Sequence, residues 1–452
     1  MDKQIKQQRS IGIGGVFVTL VGLVIGISIY ILPGSLAASA GPAVIISYFI
    51  AALMALFSCV VAAQIGAIFP ISGASFFAIS RLLSPFWGFI AIWFLVGAGA
   101  VAVGLLAYGF ADYFNAIWPL ADRKIIAFII VAVLGLLNLS GTKETVFWQS
   151  IMVLSFMIAL AIFGIYGTIH IDTELLTPFV PNGWDAVWSA AVPAFFSYAG
   201  FMLIIEISGE IKDPARTIPI GLALSFIAVL IAYSVVSLSI VGVLPWSELA
   251  NVSAPVGKVA HKIMPGWLAT GITMTAIAAA ASSINAVLMG YSRDILAMAK
   301  VSLLPEKLAQ LSSKNGEPVN SILLMTLLSI ITVIFGGRIA DVATLVVIGL
   351  LSLQMLLGFS LLFVRKKLTS HYESASFKLK PWVLKFFAVG LIVFSLVFLS
   401  IVIWGNMKII MIASAYFTAG VAYYYLRLKS LDKKGLELKI LISNTIDEIE
   451  SS

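Results

Sequence analysis

The chain has 452 residues, of which 61% are hydrophobic and 11% charged, and its formal net charge is +7. Soluble domains carry about 25% charged residues, so a chain with a mean hydropathy of +1.07 reads as a protein that crosses a membrane many times. The positive balance does not point to nucleic acid, because the lysines and arginines fall in short segments between apolar runs.

The first apolar run, from Ile11 to Ala40, follows the basic residues Lys3, Lys6 and Arg9. With the small residues Ala37-Ala38-Ser39-Ala40 it imitates a secretory signal, but a signal core spans only about 7–15 residues. The run therefore reads as a retained span. Inside it lies Gly22-Leu23-Val24-Ile25-Gly26-Ile27-Ser28-Ile29-Tyr30-Ile31-Leu32-Pro33. Glycine costs a helix about 1 kcal/mol and an interior proline about 3 kcal/mol, so this stretch predicts a helix interrupted near mid-membrane. Backbone freed at that depth is tolerated only beside protein or a watery cavity.

At about 20 apolar residues per crossing, twelve spans are expected, over 12–39, 42–68, 86–117, 124–140, 146–168, 185–206, 218–243, 267–297, 319–336, 341–364, 383–404 and 407–427. Trp87, Trp118, Trp148, Trp184, Trp246, Trp267, Trp382 and Trp404 stand at span ends, where an aromatic belt lies. Twelve spans put both termini on one side. That side collects all of the 28 lysines and arginines except Arg123, Lys124, Lys258, Lys262, Arg338 and Lys408, which predicts cytoplasmic termini in the cell membrane. The expected organisation is a cytoplasmic N-terminus (1–11), a first five-helix repeat (12–168) and a second, inverted five-helix repeat (185–364). A basic cytoplasmic loop (365–382), helices 11 and 12 (383–427) and a cytoplasmic tail (428–452) follow. Leu436, Leu438, Ile440 and Leu441 in the tail form a short surface helix, or the tail is disordered.

Span 6 contains Val192-Pro193-Ala194-Phe195-Phe196-Ser197-Tyr198-Ala199-Gly200-Phe201, again with Pro, Ser and Gly inside an apolar run. Spans 1 and 6 each open a set of five. An odd number of spans inserts the second set upside down, so the two breaks would face each other near the midplane. Each break frees N–H groups at one half-helix start and carbonyls at the other half-helix end, with partial charges of about +0.5 and −0.5. Together they suit a zwitterion. The competing reading is that these small residues only let helices pack closely.

Other chemistry is sparse. Cys59 stands alone, and His170, His261 and His371 are far apart in expected loops. No H-E-x-x-H or G-x-x-x-x-G-K-[ST] occurs, so neither an intramembrane enzyme nor a self-contained ATP-driven pump is expected. No cofactor, nucleic acid or obligatory protein partner is expected; the partners are a small solute and the bilayer.

Four stretches share a further pattern: Gly22-x-x-Ile25-Gly26-x-Ser28-Ile29-Tyr30; Phe69-Pro70-Ile71-Ser72-Gly73-Ala74-Ser75-Phe76; Gly209-Glu210-Ile211-Lys212-Asp213-Pro214-Ala215-Arg216; and Ser292-Arg293 through Ala297-Met298-Ala299-Lys300 to Leu304-Pro305, with Pro318 beyond. In these the chain resembles the amino acid–polyamine–organocation (APC) transporters over roughly residues 10–425. The resemblance implies an all-α, LeuT-like 5+5 inverted-repeat core with two C-terminal helices. It also implies secondary active transport of an amino acid by alternating access. It puts the substrate carboxylate on backbone N–H groups around Gly26, Ile27 and Ser28 and the ammonium on carbonyls around Phe196, Ser197 and Ala199, with Ile25 and Gly200 also in the substrate site. Phe196 would gate the substrate and Ala98 to Val101 would wall it.

The family's second glycine in the first stretch is Ser28 here, whose hydroxyl would add a donor. Ala100 and Met202 stand where carriers of cationic substrates place polar or acidic groups, which favours a neutral L-amino acid over a polyamine or other organic cation. A membrane sensor that keeps the fold without transport is the remaining alternative. Glu206 is expected at the cytoplasmic end of span 6 with Glu210, Lys212 and Arg216, as a gate or a solvated charge. Some proton-coupled relatives carry a lysine in span 5, where Ser155-Phe156 stand here. Gly22, Ile25, Ala279, Ser282 and Ser283 resemble the oxygen-rich sodium site of distant relatives, so the coupling ion is Na⁺ or H⁺, or transport is exchange.

Overall fold

The structure is a computed structural model that describes residues 9–451 apart from 72, 119–121, 253, 336–338, 376 and 406. Lys3, Lys6, Ser72 and Arg338 lie outside the described residues, as do the side chains of Lys143 and Lys408. Among the described residues the chain is helical, with only an isolated bridge between Ile11 and Ile211. In order the helices are α1 (Ile13–Ile25), α2 (Ser28–Ala40), α3 (Val44–Ile68), α4 (Ala74–Leu82), α5 (Pro85–Ile117), α6 (Arg123–Asn138), α7 (Thr142–Ile169), α8 (Gly183–Phe196) and α9 (Leu203–Glu206). They continue with α10 (Pro214–Val243), α11 (Pro255–Ile263), α12 (Gly266–Lys300), α13 (Val319–Phe335), α14 (Ile339–Lys367), α15 (Thr369–Ser374), α16 (Pro381–Gly405), α17 (Met407–Asp432) and α18 (Leu438–Ser451).

Eight stretches among the described residues are long and apolar enough to cross a membrane. The first runs from Ile13 to Ile68 through α1, α2 and α3, more than two crossings' worth of chain at about 20 residues each. Outward faces are apolar on these stretches and on shorter helices alike. On α6, Ile125, Ile129, Val133 and Leu136 are exposed, and on α10 Ile220, Leu224, Ile227 and Ile231 are. Steps of three and four residues make each set a stripe. Apolar stripes on the outside, with serines and asparagines buried inside, fit a protein whose solvent is lipid. The chain is a multi-pass membrane protein.

Two expected interruptions take a narrower form than the sequence suggests. Gly22 stays helical in α1 and Pro33 is absorbed in α2, so the first break is confined to Gly26 and Ile27. Pro193 likewise sits inside α8, and the second break follows it. There Ser197 N donates to Ala194 O and Tyr198 N to Phe195 O, at 3.0 and 2.9 Å. Ala199–Met202 then forms a 3₁₀ turn before the single turn of α9. A proline removes one ladder bond, which a helix packed on both sides survives; Gly26 ends α1, whereas α8 ends at Phe196 with no glycine at its cap. The polypeptide entering α1 is tied to the exit of this segment, with Ser10 and Ile11 donating to Glu210 O and Lys212 donating to Ile11 O.

The connections hold more helix than expected. His261 lies on α11 and His371 on α15 rather than in loops. The tail takes the helical alternative as α18, with Leu438 and Ile442 buried and Ile440 exposed.

Candidate functional site

The two breaks lie against each other. α1 stops because Gly26 adopts φ 39° and ψ −150°, in the range L side chains resist. A Cβ at Gly26 would also sit 1.8 Å from Ser283 Oγ on α12. Across the contact, a Cβ at Gly200 would meet Leu23 Cγ at 2.7 Å and Val24 Cγ2 at 2.9 Å. Each glycine thus admits a neighbouring side chain that a Cβ would exclude, Ser283 of α12 at Gly26 and Leu23 and Val24 of α1 at Gly200. Ile25, Ile27, Ser28, Ser197 and Ala199 are buried, Phe196 and Gly200 partly so, and neither break carries a charged side chain. At such ends, N–H groups and carbonyls lacking helical partners supply the polarity.

Three tyrosines that sequence reasoning missed enclose the breaks. Tyr48 of α3 stacks on Tyr233 of α10 with ring centroids 4.9 Å apart, and Tyr198 packs on Tyr233 at 5.4 Å. The Tyr233 hydroxyl pairs with Ser28 Oγ and reaches the carbonyls of Val24 and Ile25 at 3.2 and 3.3 Å. Ser28 Oγ in turn donates to Ile25 O at 2.8 Å. The Ser28 hydroxyl, expected as an extra donor to a carboxylate, is turned toward α10 and the carbonyls at the end of α1. The available signal was that a tyrosine inside an apolar run needs a partner for its hydroxyl; which partner, 200 residues away, no local pattern states.

On the opposite side Ile27 reaches α5 at Gly109, 3.4 Å from where that residue's Cβ would stand. Ala98 to Val101 lie roughly two to three turns away along α5. There Gly99 meets Tyr291, Ala98 meets Gly349, and Ala100 O accepts from Thr332. Ile27 thus packs on a part of this 33-residue helix that lies beyond Ala98 to Val101.

The expected ion-site residues also converge. Ser283 Oγ donates to Gly22 O at 2.9 Å, Ser282 Oγ lies 2.4 Å from the position of a Gly22 Cβ, and Ala279 is buried one turn earlier on α12. A residue of span 5 joins them, but it is not in Ser155-Phe156. Ser155 donates to its own helix at Met152, while Gln149 places Nε2 2.8 Å from the same Gly22 Cβ position. Gln149 Oε1 accepts from Asn285 at 3.2 Å, and Asn285 Oδ1 accepts from Asn138 at 2.8 Å. This buried amide chain escaped the sequence reading, although a glutamine in an apolar helix was its sign.

Glu206 is not a solvated charge. It is 1% exposed, whereas Lys212 and Arg216 beyond it are open to solvent. Glu210 is buried too and pairs at 2.7 Å with Arg293, which also holds Glu317 at 2.7 Å. Beside them Gly73, at φ 73°, packs so closely that a Cβ would lie 2.3 Å from Ala297 Cβ. Three of the four stretches that carried the resemblance thus meet in one place.

Residues 11–424 match the family model described as amino acid permease. The chain belongs to the amino acid permease family, within the APC superfamily. The permease is 28% identical over 382 residues to a branched-chain amino acid permease of Bacillus subtilis (strain 168), covering 80% of this chain and 82% of that one. It is 27% identical over 434 residues to a branched-chain amino acid permease of Lactococcus lactis subsp. cremoris (strain MG1363), covering 90% and 91%. It is also 26% identical over 368 residues to a methylthioribose transporter of Bacillus subtilis, covering 77% and 79%. The facing breaks of the permease are places where a small solute with a negative and a positive end could be held by backbone alone.

Proposed function

We propose that the permease is a secondary active transporter that moves a neutral L-amino acid across the plasma membrane by alternating access. In this reading twelve spans form a LeuT-like 5+5 inverted repeat with a terminal pair, and both termini are cytoplasmic. The observation that carries the proposal is the packing of two uncharged helix breaks, Gly200 of the second seating on Leu23 and Val24 in the last turn of α1, just before the first break at Gly26. The amide groups opening α2 take the carboxylate, and the carbonyls closing α8 take the ammonium. Ile27, Phe196 and Ala199 offer apolar surface to a side chain. Two relatives named for branched-chain amino acids put leucine, isoleucine and valine first.

A diamine or other cation would meet no carboxylate at either break, and an unpaired charge at that depth is expensive. For the coupling ion we favour H⁺ or exchange over Na⁺. Gln149, whose Oε1 is engaged by Asn285, turns its amide Nε2 donor toward Gly22, and a donor there repels a cation. The test is uptake of a labelled amino-acid panel into proteoliposomes under separate sodium and pH gradients. Branched-chain substrates should accumulate; no uptake and no counterflow of any amino acid overturns the proposal.

A further inference from the structure

Five ionisable side chains are withdrawn from solvent in one region: Glu206, Glu210, Arg293, Asp294 and Glu317, each between 0% and 3% exposed. Arg293 is the one buried cation among the described residues, and it is engaged by Glu210 and Glu317. The other two acids, Glu206 on α9 and Asp294 on α12, face each other. Glu206 Oε2 accepts the Ser75 amide of α4 at 3.4 Å and the Ser75 hydroxyl lies beside the same carboxyl, while both Asp294 oxygens have no donor outside the pair. Tyr291 on α12 is the further titratable group beside the pair. Arg81, at the other end of α4, lines a separate cavity with Lys367 and Lys439.

An ionised carboxylate only accepts hydrogen bonds. Two facing each other away from water, without a cation between them, would each lose hydration and repel the other. One proton turns the same two groups into a donor and an acceptor, as in other carboxyl pairs that share a site. The pair is not placed to hold a substrate ammonium. Asp294 stands eleven residues beyond Ser283 on α12, about 16 Å at 1.5 Å per residue. It also joins unlike elements: α12 is a 35-residue helix, while α9 is a four-residue turn between 3₁₀ segments. Movement of this short segment against α12 would part the carboxyls and admit water, and each would then ionise.

We infer that Glu206 and Asp294 form a site for one shared proton, loaded and released as the segment after the second break moves against α12. The inference rests on the transport reading above and adds the group that couples it to pH.

The experiment uses the full chain in proteoliposomes with labelled L-leucine and an internal pH dye. In the wild type, an inward proton gradient should drive leucine accumulation, and leucine entry should carry protons inward without sodium. Glu206→Gln and Asp294→Asn should each reduce gradient-driven accumulation at least tenfold and abolish the dye signal, while counterflow stays detectable and reports a folded carrier. Wild-type leucine transport that moves no protons, or that only a sodium gradient drives, overturns the inference even if the variants do not fold. So does proton-driven accumulation that survives both substitutions. Absence of wild-type counterflow for every amino acid would instead overturn the transport reading.

Discussion

Gly26 is held by two independent constraints, a backbone angle that favours glycine and a serine hydroxyl where a Cβ would stand. Gly26→Ala therefore combines torsional strain of about 1–3 kcal/mol with overlap on Ser283. Leucine counterflow should fall at least about tenfold, the equivalent of 1.4 kcal/mol, and Ser283→Ala added to it should restore part of the rate by removing the hydroxyl. Wild-type counterflow in Gly26→Ala would show that the break tolerates a side chain. The first of these constraints is local and so legible in a sequence, whereas the second, set by α12, is not. Tyr233 and Gln149 are not legible either, because what each touches is set by which helices pack together, and both look like ordinary members of apolar runs.

At the scale of elements, the places of both interruptions were readable but their extent was not. Pro33 and Pro193 announce weak helix, yet neighbouring helices hold α2 and α8 together around them. The irregular course after Phe196 was unreadable for another reason: Glu206 and Glu210 resemble solvated charges at a helix end until tertiary packing buries them. The same packing makes Arg293 structural. Removing one partner from a buried ion cluster costs about 3–5 kcal/mol, so Arg293→Ala should lower the unfolding temperature in detergent markedly, with Glu210 and Glu317 left buried. Arg123→Ala, which breaks a half-exposed pair with Asp112, should shift it far less, since such pairs contribute about 0–1 kcal/mol. Equal shifts would mean that the Arg293 cluster is open to water.

At the scale of the molecule, the membrane class followed from composition and the family from four short stretches, three of which meet at the Gly73–Glu210–Arg293 contact. Orientation rests on charge asymmetry and is open to direct test, because Cys59 is the one cysteine and is buried. In a Cys59→Ser background, a membrane-impermeant maleimide added to intact cells should label Thr173→Cys and spare Ser370→Cys, both exposed positions. The reverse pattern would invert the topology. The central claim is that backbone at two facing breaks holds a zwitterion, and its most direct test is displacement of labelled L-leucine from the purified permease. Unlabelled leucine and isoleucine should displace it, while 3-methylbutylamine, 4-methylpentanoate and putrescine, each lacking one end of the zwitterion, should not. Displacement by the amine or the acid alone, at the concentrations where leucine itself competes, would contradict it.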